Sequence, residues 1–190
     1  DLVADGVVRD WSSDYVHPCG SVLRVFSLGG SGLSLASGQS SIGALKASLS
    51  ASYNYLSGGF GVPMPAVDGA STLDHPGDIT SFQTLRFLAC YEPGVQGLAC
   101  EVILETYPGP DYPKLGYSFT PAQGKTFTVV GIDLWSPDRI ENGQGYSVEE
   151  LLSQTRFLSF YHYAGPIHQR TTLDVCYDDI QLLGGSGPTV

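Results

Sequence analysis

Apolar residues recur at every second position along much of this chain. Between Leu45 and Tyr55, apolar and aromatic residues alternate with polar ones such as Lys46 and Asn54. The same alternation continues in five further segments, residues 83–91, 101–107, 127–134, 155–163 and 171–182. A period of two is typical of β-strands that bury one face, whereas a helix requires a period of 3.6. The chain is therefore predicted to consist mainly of short antiparallel strands.

Turn-forming residues separate these segments, as Gly58-Gly59 and Asn142-Gly143 illustrate. The one helix-like segment is 147–152, where Ser147 and Glu150 have the spacing of a capping box. Many short strands with one helical turn favour a two-sheet antiparallel β-sandwich. We expect one domain over residues 1–183, and a Gly/Ser/Pro linker that starts at residues 184–190 and leads to a neighbouring domain.

The charge of the chain limits its partners. The formal net charge is −10, and no basic stripe is present in the sequence. Nucleic acid, anionic membrane surfaces and anionic polymers are therefore unfavourable partners, whereas neutral ligands are compatible with this charge. The sequence shows neither a signal peptide nor an apolar run of about 20 residues, which predicts a mature or excised soluble segment.

The cysteines indicate a compartment. There are four of them, without the C-x-x-C spacing of a zinc site. Cys90 and Cys100 flank a loop that resembles the tip of a hairpin, so a bridge across its base is expected. Cys19 and Cys176 would then join the N-terminal region to the last strand. Two disulfides predict a secreted protein, and the alternative is four buried free thiols in a cytosolic one.

Two adjacent carboxylates interrupt the last apolar segment, 175–182. In a regular strand, Asp178 shares a face with Cys176, Ile180 and Leu182. If that face is the core side, the charge has to be paired or bound to a metal, which makes Asp178 a candidate calcium ligand. The alternative is that Asp178 lies at a frayed strand end, near water or an arginine.

The order of four segments resembles the galactose-binding-like jelly roll, a β-sandwich. These segments are Gly43–Lys46, Thr84–Phe87, Gly124–Leu134 and Tyr177–Leu182. The resemblance implies a non-catalytic carbohydrate-binding module attached to a secreted polysaccharide-degrading enzyme. It also implies a structural Ca²⁺ between the last strand and the N-terminal region, with Asp178 as one ligand. Asp5 is preferred over Asp1 and Asp10 as the N-terminal ligand, because Ala4-Asp5-Gly6 can open a turn.

A saccharide site requires aromatic platforms and planar hydrogen-bonding groups. By strand parity, five suitable residues lie opposite the inferred core and are predicted to line one exposed face: Arg86, Glu105, Tyr107, Tyr161 and Tyr163. A loop site built from Trp135, Tyr112 and Tyr117 is the alternative. A parity error of one residue in 157–163 would place Tyr161 and Tyr163 in the core.

Two other functional classes compete with a binding module. A catalytic jelly roll, either a polysaccharide lyase or a glycoside hydrolase, would use Tyr161-His162-Tyr163, His168 and Arg170, or the pair Glu101 and Glu105. However, both glutamates lie on one strand, and His162 alternates with Leu158 and Phe160 and is predicted to be buried. A structural spacer is the third class. The favoured prediction is a secreted, non-catalytic module for a neutral polysaccharide such as β-glucan, xylan or mannan.

Overall fold

The computed structural model describes residues 10–16, 22–27, 32–37, 45–51, 54–63, 77–92, 97–106 and 111–184. Side chains are described from Leu45 onward within these ranges, except at both ends of β5 and at the end of β4. The elements are β1 (Asp10–Val16), β2 (Val22–Ser27), β3 (Gly32–Ser37), β4 (Leu45–Ala51), β5 (Asn54–Pro63), β6 (Phe82–Glu92), β7 (Ala99–Glu105), β8 (Lys114–Phe119), β9 (Ala122–Gln123), β10 (Thr128–Asp133), β11 (Arg139–Glu141), α1 (Val148–Leu152), β12 (Phe157–Ile167) and β13 (Thr171–Gly184).

The strands form two sheets. The seven-stranded sheet has the order β1-β2-β5-β12-β7-β8-β11, and the other sheet has the order β10-β6-β13-β4-β3 with β9 beside β6. Neighbouring strands are antiparallel except β6 and β9, which are parallel. The predicted two-sheet jelly-roll sandwich is confirmed. Within the described ranges, no helix has the length and apolar character needed to cross a membrane.

The core lies between the sheets and is built from the period-two residues. Leu45, Ala47 and Leu49 of β4 are buried, as are Leu85 and the residues that alternate with it in β6. Each large aliphatic or aromatic side chain buried in this way stabilises the fold by about 1.5–3 kcal/mol. The predicted alternation is confirmed at Leu45–Leu49 and Leu85–Ala89, whereas the predicted continuous strand over residues 45–55 is wrong, since β4 ends at Ala51 and β5 begins at Asn54.

An aromatic cluster at the centre of the core joins the two sheets. Phe60 and Phe160 stack at a centroid distance of 4.9 Å, and the Tyr177 ring lies 5.4 Å from Phe60 and 4.9 Å from Phe160. His162 is fully buried beside them. Because a carbonyl can only accept, His162 Nδ1–H donates to the Gly58 carbonyl oxygen (3.1 Å), and Nε2 accepts from the Tyr177 hydroxyl (2.5 Å). The prediction of a satisfied core histidine is confirmed.

Strand β13 differs from the predicted face assignment. Leu173, Val175 and Tyr177 point into the core, so Asp178 points away from it. A β-bulge between Asp178 and Gln181, with φ of +51° at Asp179, then returns Ile180 and Leu182 to the core side. Strict alternation placed Asp178 with Ile180 and Leu182 because it could not include the extra residue of a bulge.

The predicted hairpin with a Cys90–Cys100 bridge is wrong. Strand β6 carries Cys90 in one sheet, whereas β7 carries Cys100 in the other. The Cys100 side chain belongs to the core, and no disulfide joins the cysteines of the described ranges, Cys90, Cys100 and Cys176, in this structure. Cys19 lies outside the described residues, so its pairing with Cys176 stays a prediction.

The predicted capping box is confirmed at the start of α1. The Ser147 hydroxyl accepts from the Glu150 backbone N–H at 3.2 Å, and the Glu150 carboxylate accepts from the Ser147 N–H at 2.7 Å. These reciprocal bonds satisfy two N–H groups at the helix end that would otherwise have no partner.

The buried histidine predicts a loss of stability in mild acid. Burial lowers the pKa of His162 from the ordinary 6.5 to about 4, because it disfavours the imidazolium. The pKa of His162 is lower in the folded state than in the unfolded state. The contribution of His162 to the free energy of unfolding is therefore complete above pH 6.5 and is lost as the pH falls toward 4. Across this window the free energy of unfolding should fall by about 1.4 kcal/mol per pH unit.

Urea unfolding of the wild type and of His162→Gln between pH 7 and pH 4.5 measures this slope. The variant should be less stable at pH 7 and should lack this part of the acid dependence. His168→Gln changes an exposed histidine and is the matched control, with the wild-type slope retained. Equal slopes in all three proteins would contradict the role of His162.

Candidate functional site

The outer face of the seven-stranded sheet carries two tyrosines flanked by small residues. Tyr161 of β12 lies opposite Gly59 of β5 on one side and Glu101 of β7 on the other. Tyr163, two residues further on, lies between Ser57 and Ala99. Because residues i and i+2 of a strand share a face, the two rings project on the same side, about 7 Å apart along the strand.

Both tyrosines face away from the core. The core residues of β12 are those that alternate with them, including Phe160 and Ala164. Tyr161 is partly buried, and Tyr163 is 37% exposed. The neighbouring positions Gly59 and Ala99 carry only a hydrogen atom and a methyl group, so neither of these two residues covers the rings. The parity prediction that placed both tyrosines outside the core is confirmed.

An arginine–carboxylate pair lies beside the tyrosines. Arg139 of β11 donates from Nε to Glu101 Oε1 (2.5 Å) and from Nη2 to Glu101 Oε2 (2.7 Å), and it also contacts Glu141. The hydrogen bond to Glu101 raises the pKa of Arg139, and the charge of Glu101 adds to this effect. The pair thus presents a fixed, planar array of donors and acceptors.

Gly116 of β8 permits this arrangement, because Arg139 crosses directly over it. A Cβ at this position would lie 2.5 Å from Glu101 Oε1 and 2.7 Å from Arg139 Nε. Both separations are well inside van der Waals contact. A side chain at residue 116 would therefore displace the ion pair.

The Asp138 carboxylate is a further polar group at this end of the sheet. Asp138 Oδ2 accepts from the Ser118 backbone N–H at 2.6 Å, and the Asp138 N–H donates to the Gly116 carbonyl at 2.9 Å. Ser118 lies opposite Glu101, so these groups continue the row that starts at Tyr161. We call Tyr161, Tyr163, Glu101, Arg139, Ser118 and Asp138 the tyrosine face.

Glu105 faces outward as predicted but is not accessible. It is 1% exposed, and its Oε1 accepts from the Ser159 hydroxyl at 2.8 Å. Its register neighbours Phe157 and Lys114 are also buried, although Phe157 is not part of the core between the sheets. This end of the outer face is therefore covered, and the prediction that Glu105 lines an exposed face is wrong.

Arg86 belongs to the opposite surface of the molecule. It lies on β6 of the other sheet, where it donates to Asp179 Oδ2 at 2.8 Å. The prediction that Arg86 shares one face with Tyr161 and Tyr163 is therefore wrong. Strand parity shows whether a side chain points toward the core or away from it, but it does not show which sheet the strand belongs to. Tyr107 lies outside the described residues, so its role stays a prediction.

The aromatics of the alternative loop site have structural contacts. Trp135 packs against the core and donates from Nε1 to the Phe82 carbonyl oxygen at 3.0 Å. Tyr117 is buried, donates to the Leu134 carbonyl at 2.6 Å, and has a raised pKa because of desolvation. Tyr112 is exposed beside a cavity that Tyr146 and Arg156 also line. Of the three residues predicted for a loop site, Tyr112 is therefore exposed. The polar groups of Trp135 and Tyr117 already donate to backbone carbonyls.

The predicted calcium site is incomplete within the described residues. Asp178 is partly exposed, and its Oδ1 accepts from the Asp179 backbone N–H at 2.9 Å. Throughout the ranges that the structure describes, no three His, Cys, Asp or Glu side chains are grouped so that they could hold a metal ion. Asp5 lies outside those ranges. Calcium thus stays a prediction that requires further ligands, with Asp178 supplying a single carboxylate.

Sequence reasoning missed Arg139, Ser118 and Asp138. Strand β11 has only three residues, too few for a visible alternation, and it reaches Glu101 only through its pairing with β8. One signal was present, since Gly116 is the single glycine of segment 114–119, between Leu115 and Tyr117. An isolated glycine in a strand often marks the close approach of another group.

The comparisons with known proteins concern the fold. No protein-family model matches the sequence, and no curated protein does. The family 11 carbohydrate-binding module of the cellulosomal cellulase Lic26A-Cel5E of Clostridium thermocellum aligns with 95% of this chain and 97% of its own, at 15% identity and a TM-score of 0.52. The solution structure of CtCBM11 aligns with 96% of this chain and 98% of its own, at 15% identity and a TM-score of 0.53. The chain thus has the β-sandwich fold of these carbohydrate-binding modules.

The contact at Gly116 generates a stability prediction. Gly116→Ala should separate Arg139 from Glu101 and lower the free energy of unfolding by about 1–3 kcal/mol, the usual cost of overpacking. Gly131→Ala is the matched control in another strand, since its new Cβ would approach nothing closer than Thr84 Cγ2 at 4.0 Å. Urea unfolding of both variants measures the difference, and equal stabilities would contradict the close packing at Gly116.

Proposed function

We propose that this chain is a non-catalytic carbohydrate-binding module that binds a neutral polysaccharide on the tyrosine face. The observation that carries the proposal is the pair of outward tyrosines beside the Arg139–Glu101 ion pair. Apolar C–H faces of sugars stack on aromatic rings, and sugar hydroxyls hydrogen-bond to charged planar groups. The face supplies both kinds of contact on rigid strands, which keeps the entropic cost of binding low.

The charge of the chain supports a neutral ligand. With a formal net charge of −10, the protein repels polyanionic glycans at long range. β-Glucan, xylan and mannan are uncharged and are not repelled in this way, and they are the proposed ligands. The similar fold of a carbohydrate-binding module from a cellulosomal cellulase supports the same class of ligand and an attached catalytic domain. Secretion is proposed on the same grounds, since such polysaccharides are extracellular.

The catalytic alternative has less support from the residues it would use. Glu101 and Glu105 lie on the same strand, four residues and therefore about 13 Å apart, whereas glycosidase carboxylates are about 5–9.5 Å apart. Glu101 is also bound to Arg139, and Glu105 is buried. His162, the central residue of the candidate lyase motif, points into the core. None of these positions favours an acid and a base on either side of a substrate.

The decisive experiment is affinity electrophoresis in gels that contain β-glucan, xylan or mannan. Tyr161→Ala and Tyr163→Ala should each weaken binding by about 1–3 kcal/mol, or about 5- to 150-fold, because each removes an interface anchor. Their melting temperatures should change little, since both rings lie outside the core.

Two control variants separate the tyrosine face from other surfaces. Tyr146→Ala removes an exposed tyrosine near α1, and Arg86→Ala removes the ion-paired arginine of the other sheet. Both should bind like the wild type. Loss of binding in Arg86→Ala alone would move the site to the other sheet, and a wild-type protein that binds none of the polysaccharides would favour the spacer.

Calcium binding at Asp178 remains a separate proposal, supported by the sequence resemblance. If Asp178 is a ligand, EDTA should lower the melting temperature of the wild type, because removal of a native-state ligand lowers stability. Asp178→Asn should remove this response, whereas Asp111→Asn, at an exposed aspartate outside β13, should keep it. Metal analysis of the purified protein provides the direct count. A wild type without calcium and without an EDTA response would contradict the proposal.

A further inference from the structure

Two cysteines meet across the centre of the β6–β13 pair. Cys90 and Cys176 are direct register partners, between the pairs Tyr91–Val175 and Ala89–Tyr177. Direct partners in antiparallel strands have Cα atoms about 4.5–5.5 Å apart, within the range of about 4.4–6.8 Å that a disulfide spans.

Both thiols project from the same face. Ala89, Val175 and Tyr177 belong to the core, so the residues next to them in each strand, Cys90 and Cys176, point to the outer side of the six-stranded sheet. The pKa of each thiol is influenced by the other, as expected for two side chains that face each other across the strand pair. Bridging them thus requires no change of register.

The other cysteine of the described ranges cannot compete for this partner. Cys100 lies on the seven-stranded sheet with its side chain in the core, where burial raises the pKa of its thiol to about 12. A bond from Cys100 to Cys90 would have to pass through the backbone of the six-stranded sheet. The expected competitor is Cys19, the sequence-predicted partner of Cys176, and the experiment below distinguishes the two pairings.

The two sulfurs differ in access. Cys90 is 3% exposed, and β9 pairs alongside it at Ala122, whereas Cys176 is partly exposed. Burial raises the pKa of Cys90, and burial together with the nearby Cys90 and Asp174 raises that of Cys176 to about 11. Thiolate is therefore scarce at neutral pH, so oxidation is expected to be slow without a catalyst.

We propose that Cys90 and Cys176 form a disulfide that cross-links the adjacent strands β6 and β13 of the six-stranded sheet. The oxidant is a thiol-derived disulfide such as glutathione disulfide. The Cys176 thiolate attacks one sulfur of the oxidant and releases one glutathione thiol. Cys90 then loses its proton and attacks the Cys176 sulfur of the mixed disulfide, which releases the second glutathione thiol. Two protein thiols are oxidised, and one glutathione disulfide is reduced to two thiols.

This cross-link would close the segment that builds the tyrosine face. Residues 91–175 contain every residue of that face, namely those on β7, β8, β11 and β12 together with Asp138, which directly precedes β11. A bond between residues 90 and 176 restricts this segment in the unfolded chain and so favours the folded state. The proposal does not depend on saccharide binding, because it is carried by the strand register and by the shared outer face of the two cysteines.

The test is peptide mapping of the purified protein after equilibration in a glutathione redox buffer. Free thiols are alkylated under denaturing conditions before proteolysis. Cys90 and Cys176 should appear in one disulfide-linked peptide pair, with Cys100 alkylated. The melting temperature of the oxidised protein should exceed that of the reduced protein by about 5–10 °C, given the large closed loop.

Variants make the assignment specific. Cys90→Ala and Cys176→Ala should each abolish the cross-link and the effect of reductant on the melting temperature, whereas Cys100→Ala should retain both. The wild-type peptide map decides the matter even if a variant does not fold. A Cys90–Cys100 or Cys19–Cys176 linkage, or alkylation of both Cys90 and Cys176 after equilibration in excess glutathione disulfide, would overturn the proposal.

Discussion

The hydrogen bond from the Tyr177 hydroxyl to His162 Nε2 joins the two sheets at the point where the core is densest in aromatic rings. Tyr177 comes from β13 and His162 from β12, so the contact bridges the layers rather than two strands of one layer. Both side chains are fully buried. A polar group without a partner at such a place costs about 1–3 kcal/mol, so each residue depends on the other, and both depend on the Gly58 carbonyl.

The inward direction of these two residues is linked to the outward direction of their neighbours on the same strands. Once His162 points into the core, strand geometry directs Tyr161 and Tyr163 to the outer face. The same parity places Tyr177 inside and Cys176 outside on β13, opposite Cys90. The outward directions of the two tyrosines and of the cysteine pair therefore follow from the inward directions of His162 and Tyr177, on opposite surfaces of the sandwich.

The polar part of the tyrosine face depends on small residues instead. Gly59 and Ala99 leave room beside the tyrosines, and Gly116 lets Arg139 cross its strand to reach Glu101. The other end of the same outer face, at Phe157, Glu105 and Lys114, is buried. The outer face of this sheet thus has an accessible part and a covered part.

Local periodicity was sufficient to predict the sandwich, the capping box, the buried His162 and the outward direction of Tyr161 and Tyr163. Each of these depends on the spacing of residue types along the chain, which can be read from the sequence itself. Tertiary structure alone decided that Arg86 lies on the opposite sheet, that Glu105 is covered, that Cys90 meets Cys176 and that Arg139 meets Glu101. Pairing between strands that are distant in the chain is set by the combined burial of both sheets, and a bulge such as that at Asp179 changes parity without a clear mark in the sequence.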